Sequence, residues 1–103
     1  MDPLQKQIDD YYKKEGWEYW TQHQMLARLT EEVGELAREI NHQYGPKKKK
    51  PAELENSIQG EVGDILYTLA CICNQEGISL EEALKQSIEK VEGRDKGRFS
   101  TLN

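Results

Sequence analysis

From Gln22 to about Asn41 the apolar residues Leu26, Leu29, Val33, Leu36 and Ile40 advance in steps of three and four, which predicts one helix with that stripe buried. Ile58, Val62, Ile65, Leu66, Leu69, Ile72 and Cys73 predict a second long helix, from about Asn56 or Ser57 to Gln75, with Gly77 as its left-handed stop. Between them, residues 42–55 lose the pattern. Gly45 and Pro46 end the helix, Lys47 to Lys50 form a charge run, and Pro51 keeps the chain extended, so this stretch reads as the loop joining two helices.

The flanking segments are also helical. Asp2 can cap free N–H groups and Pro3 is tolerated at a first helical position, so a helix runs from Asp2 to Glu15 and breaks at Gly16. Trp17, Tyr19 and Trp20 form an aromatic connector, and Thr21 is placed to cap the next helix. Ser79-Leu80-Glu81-Glu82 matches the S-x-x-E capping box and precedes Ala83, Leu84, Ile88 and Val91, a shorter fourth helix that Gly93 ends or loosens. No segment alternates with period two. The fold class is therefore all-α, a four-helix bundle-like arrangement in a single domain spanning residues 1–103.

Such a short chain has a small core that leaves only marginal net stability, on the order of 5–10 kcal/mol if it folds alone, and oligomerisation is a natural supplement. The formal net charge of −5 argues against a nucleic-acid polymer as partner, since neutralising phosphates needs a basic face. A small anionic ligand is compatible with it. Cys71 and Cys73 have neither redox nor zinc spacing and read as buried, reduced hydrophobes. No apolar run reaches membrane-spanning length and the N-terminus does not read as a secretory signal, so the expected compartment is the cytoplasm.

The chemistry is carried by carboxylates. Glu32/Glu35 and Glu61/Asp64 each have the i,i+3 spacing that puts two side chains on one helical face, and both pairs edge the apolar stripe. If the stripes pack together, four acids meet in a half-dry site, where each close pair repels by about 4 kcal/mol at an effective dielectric near 20. A divalent cation offsets that repulsion, and an all-oxygen set favours Mg²⁺, with Mn²⁺ the alternative. Gly34, Gly60 and Gly63 lie inside the helices beside these acids, each costing about 1 kcal/mol relative to alanine. Close approach of the helices, or of phosphates, would account for them. The bland alternative is a solvated acidic helix face, which fits one half-motif better than two matched ones.

Glu31-Glu32-Val33-Gly34-Glu35 followed by Glu61-Val62-Gly63-Asp64 resembles the E-E-x-x-E and E-x-x-D signature of the MazG-like, all-α nucleoside triphosphate pyrophosphohydrolases, and the similarity runs from about Gly16-Trp17 to Arg94. The resemblance implies a four-helix core, usually dimeric or tetrameric, that hydrolyses a nucleoside triphosphate between its α and β phosphates to monophosphate and pyrophosphate. It implies Glu32, Glu35, Glu61 and Asp64 as Mg²⁺ ligands. Glu31 is then an extra acid, for a second metal or the attacking water, or simply solvent-facing charge.

Ser87-x-x-Lys90-x-x-x-Arg94 resembles the family's N-x-x-K-x-x-x-R phosphate-contacting pattern, with serine in place of asparagine. Lys90 and Arg94 are thus candidate substrate contacts, although cations at a helix C-terminus also complement its dipole. Lys85 and Arg98 are weaker candidates. Tyr67 is a candidate for the base or sugar that core packing explains equally well, and the connector of Trp17, Tyr19 and Trp20 could line a base pocket, although packing that closes the bundle end is the simpler reading. His23 and His42 have no ligand spacing, and Lys47 to Lys50 is more simply a solvated loop than a triphosphate funnel. Two competing readings are a catalytically weak nucleotide-binding or regulatory subunit and a structural helical module.

Overall fold

The computed structural model describes residues 2–46 and 57–99, and among them there are four helices and no strand. These are α1 (Pro3–Glu15), α2 (Gln22–Tyr44), α3 (Ile58–Glu76) and α4 (Leu80–Phe99). The Lys47–Lys50 run lies outside the described residues, as does the side chain of Arg98.

The boundaries follow from capping chemistry. At the start of α2, Gln24 N–H donates to Thr21 Oγ1 at 3.3 Å while Thr21 N–H donates to Gln24 Oε1 at 2.9 Å, a reciprocal capping box. Ser57 Oγ accepts from Gly60 N–H at 2.9 Å and starts α3. Gly16 and Gly77 end α1 and α3 in the left-handed region, at φ 72° and 70°, where a side chain would be strained. Gly93 does neither. Its φ is not positive, and α4 passes through it to Phe99, longer than the sequence predicts, because one internal glycine costs only about 1 kcal/mol.

Asp2 behaves differently from the expectation that it caps its own helix. Its carboxylate makes no cap bond to α1; it accepts from Ser79 Oγ at 2.9 Å and from Glu81 N–H at 2.8 Å, at the start of α4. Gln5, 2% exposed, completes this joint: Oε1 accepts from Leu80 N–H at 2.8 Å, and Nε2 donates to Ile78 O and to Asn74 Oδ1. With Glu82 N–H on Ser79 Oγ, the first free N–H groups of α4 are all satisfied, two of them by α1.

α2 and α3 form an antiparallel hairpin, since Gln22 bonds Glu76 at one end while Glu32 lies beside Glu61 and Asp64 farther along. The buried line of α2 is Met25, Glu32 and Glu39, spaced by seven; Leu29 and Leu36 are half-buried, and Leu26, Val33 and Ile40 are exposed. The expected buried stripe is thus displaced by one position, because α3 packs beside it rather than on it. Val62 and Leu66 of α3 and Leu84, Ile88 and Val91 of α4 are exposed too. The radius of gyration, 17.7 Å, exceeds the roughly 13 Å of a compact chain of this length. The fully buried apolar core is small: Met25, Ala70 and Cys71 among the described residues.

Candidate functional site

The hairpin brings Glu32 of α2 and Glu61 and Asp64 of α3 together, with one carboxylate oxygen of each lying within 4.8 Å of the others. Glu32 is 1% exposed and Glu61 6%, whereas Asp64 is exposed and opens the group to solvent. The seven-residue spacing places Glu32 on the same buried line as Met25, one turn after the half-buried Leu29. Helical geometry then leaves the acid facing α3.

Electrostatics confirm the strain of this arrangement. Burial, before any other cause, pushes the Glu32 carboxyl up, opposed by the Arg28 guanidinium and reinforced by Glu35 and Asp64. Burial also pushes Glu61 up, to about 7, helped by a hydrogen bond with Glu35 and by the charges of Glu35, Asp64 and Glu32. Two carboxyls can hydrogen-bond only while a proton stays between them. Glu35 therefore joins the cluster through Glu61 rather than as a member of the tight trio.

A divalent cation fits these residues. Glu32 Oε2 and Glu61 Oε2 are buried without a hydrogen-bond partner, a costly state unless something positive completes it. The donors are all carboxylate oxygens, the set that hard cations prefer.

Beside the acids is a cavity of about 300 Å³, which Glu32, Asp64 and Arg28 border on one side. Tyr12, Tyr19, Trp20, Met25, Tyr67, Thr68 and Cys71 form the rest of its wall. Tyr12 and Tyr19 stack with ring centroids 4.5 Å apart. Tyr19 O–H donates to Asp9 at 2.8 Å and accepts from Asn74 at 3.0 Å, so the wall is pinned to the polar joint between α1 and α3. Burial raises both phenols, Tyr19 to about 12, so both stay neutral donors at any physiological pH.

The other candidates are placed as follows. Tyr67 lines the cavity, but Trp17 does not: it packs edge-on against Tyr11 and Tyr12, behind the wall. Glu31 is exposed and its carboxylate lies 3.7 Å from the Arg28 guanidinium. Lys90 and Arg94 lie on α4 away from its first turn, where Gln5 and Asp2 hold it, and Arg94 pairs with Asp95. A Cβ at Gly34 or Gly63 would meet no atom within 4 Å, so helix approach within this chain is not why they are glycine. At Gly60 an added Cβ would instead come 3.1 Å from the capping Ser57 Oγ.

Arg28, Tyr12 and Thr68 were not among the residues singled out from sequence, whereas Tyr19 and Trp20 of the aromatic connector do line the cavity. Arg28 and Thr68 had a signal, since each is four positions from a motif acid and so shares its face. Tyr12 had none.

Comparison with known proteins gives the same picture. The MazG nucleotide pyrophosphohydrolase domain matches residues 20–99. The chain is 47% identical over 102 residues to YpjD of Bacillus subtilis (strain 168), covering 97% of this chain and 90% of that one. The YpjD crystal structure superposes with a TM-score of 0.76 at 44% identity, over 88% of this chain and 91% of that chain. A Bacillus-conserved MazG protein, a nucleotide pyrophosphohydrolase, superposes with a TM-score of 0.68 at 42% identity, over 85% and 84% of the two chains. A hairpin that buries paired carboxylates against an aromatic cavity, on four helices matched over most of their length, places this chain in the MazG nucleotide pyrophosphohydrolase family.

Proposed function

We propose that the protein hydrolyses nucleoside triphosphates between the α and β phosphates, releasing nucleoside monophosphate and pyrophosphate, with Mg²⁺ as the physiological cation and Mn²⁺ a substitute. The observation that carries this reading is the pair of buried, unpartnered oxygens on Glu32 and Glu61 beside a cavity of about 300 Å³, the lower end of small-molecule pockets. That size suits a base and sugar, with the triphosphate extending over the acids.

Glu32, Glu61, Asp64 and Glu35 would hold the cation, which supplies charge neutralisation of the triphosphate and a more acidic bound water. Glu31, exposed beside Arg28, would accept a proton from the attacking water or help hold a second ion. The apolar wall excludes bulk water from the α-phosphorus, and Tyr67 with the Tyr12–Tyr19 stack bounds the base. Trp17 acts from behind, fixing Tyr12.

Lys90 and Arg94 would meet the departing pyrophosphate within a homodimer or homotetramer. The exposed stripes on α2, α3 and α4 support assembly, since a second copy would cover them.

The test is pyrophosphate release from a panel of ribo- and deoxyribonucleoside triphosphates with and without Mg²⁺. Release that requires the cation and is lost in Glu35→Gln and Glu61→Gln is the expected result. No release by folded, cation-bound protein would leave nucleotide binding without hydrolysis.

A further inference from the structure

We infer that Arg28 makes cation binding depend on bound triphosphate: it neutralises Glu32 in the empty site and passes to the substrate's phosphates when they arrive. This rests on the nucleotide-hydrolysing reading above and adds how its site is loaded.

The geometry is asymmetric. Arg28 Nη2 lies 2.7 Å from Glu32 Oε1, while Nη1 is a looser 3.7 Å from Glu31 Oε2. The acid is 1% exposed and the arginine 48%. A buried carboxylate is thus held by a base that reaches in from the surface, and the same base borders the cavity together with Glu32 and Asp64. Glu32 Oε2 stays without a partner. The cation position is therefore formed before any cation binds, but a positive charge already stands next to it.

Two consequences follow from charge alone. A free divalent cation entering beside Arg28 is repelled by it, so binding without substrate is weakened. A triphosphate offers a guanidinium the paired oxygens that it prefers, and does so in the cavity that Arg28 already borders. Once Arg28 turns to phosphate, Glu32 is left without its counter-ion and its charge acts on the cation instead. Linkage then requires each ligand to tighten the other. The site takes cation and triphosphate together and resists loading with cation alone. A purely structural arginine predicts the opposite sign, because losing it would disorder Glu32 and weaken cation binding.

Mn²⁺ binding followed by electron paramagnetic resonance tests this without turnover, with and without an α,β-methylene triphosphate analogue and with correction for Mn²⁺ held by free analogue. In the wild-type protein the analogue should tighten Mn²⁺ by about tenfold, within the usual range of coupling between sites. Arg28→Gln should bind Mn²⁺ alone more tightly than wild type and lose most of the coupling, while Arg28→Lys, which keeps the charge, should stay close to wild type. Arg28→Gln binding Mn²⁺ alone no more tightly, or keeping the full coupling, overturns the inference. So does Arg28→Lys behaving like Arg28→Gln. Wild-type protein that binds no Mn²⁺ under either condition overturns instead the hydrolytic reading beneath it. The wild-type guanidinium ¹⁵N–H signal, assigned by its loss in Arg28→Lys, gives a check that needs no neutral variant to fold: it should shift when Mg²⁺ and analogue are added together, and a signal indifferent to them counts against the exchange.

Discussion

Glu32 of α2 and Glu61 of α3 meet across the hairpin, each keeping one carboxylate oxygen, Oε2, buried without a hydrogen-bond donor. Stability is spent on this contact. Two charges held within 4.8 Å repel by about 3 kcal/mol or more at an effective dielectric near 20, and Arg28 offsets this at Glu32 Oε1 while leaving both Oε2 atoms unpartnered.

Glu61→Gln should therefore stabilise the cation-free protein. It removes the charge, keeps the shape, and adds an amide N–H that can reach Glu32. The expected gain is about 1–2 kcal/mol, a rise in Tm of roughly 5–10 °C. The same variant should lose the Tm increase that Mg²⁺ gives the wild type, because ligation relieves a repulsion that it no longer has. Thermal melts with and without Mg²⁺ check both parts, and a cation-free Tm below wild type would count against the strained-acid account.

The pH dependence follows from the same residue. Glu61 is raised from 4.5 to about 7 in the folded protein, so between those values the folded state holds a proton that the unfolded chain has lost. Its contribution is fully present below about pH 4.5 and is lost as pH rises through 7. Cation-free protein should be more stable at pH 5.5 than at pH 8, by on the order of 2 kcal/mol. Asp2 and Asp9 are shifted the other way, chiefly by hydrogen bonds from Glu81 N–H and Lys13 respectively, and remain ionised across that window. Saturating Mg²⁺ should flatten or reverse the slope, since binding displaces the proton. Denaturant melts at the two pH values, repeated with Mg²⁺, measure it.

How far the sequence could be read depended on whether the partner of each group was local. Thr21 with Gln24, Ser57 and Ser79 announced their helix starts, and Gly16 and Gly77 their stops, because every atom involved lies within one turn. The i,i+3 acids could be found by the same local rule. Leu26, Val33 and Ile40 were recognisable as a stripe, but periodicity says nothing of what covers a stripe, and among the described residues these three stay exposed. The Gln5 joint and the tyrosine wall depend on contacts some 60 to 75 positions apart, for which the sequence holds no pattern.

Gln5 is the clearest such case. Gln5→Leu keeps the volume but leaves Leu80 N–H, Ile78 O and Asn74 Oδ1 without partners at a buried joint. Its expected cost is about 2–4 kcal/mol, against less than about 0.5 kcal/mol for Gln7→Ala on the exposed side of the same helix. Chemical denaturation of the two variants, side by side, gives the comparison.

Gly34→Ala separates stability from activity. The added methyl meets nothing within 4 Å in the chain and should gain up to about 1 kcal/mol of helix stability. If the glycine is kept for approach of phosphates to the backbone between Glu32 and Glu35, pyrophosphate release should fall at least tenfold in the more stable protein. A rise in both would show that Gly34 serves neither.

The apolar residues of α4 bear on assembly. Leu84, Ile88 and Val91 follow one helical stripe and are exposed, while α4 is attached to the chain mainly through polar bonds at its first turn. A helix with such a stripe and no cover among the described residues is stabilised by burial against another surface. Leu84→Glu combined with Ile88→Glu should then shift the protein from oligomer to monomer in sedimentation velocity, and the Tm should fall and cease to depend on protein concentration. Lys90 and Arg94 lie farther along the same helix, so pyrophosphate release should fall with dissociation even though the acidic cluster is untouched. A double variant that stays assembled would move the interface to the α2 stripe of Leu26, Val33 and Ile40, and one that is monomeric but fully active would remove Lys90 and Arg94 from the proposed site.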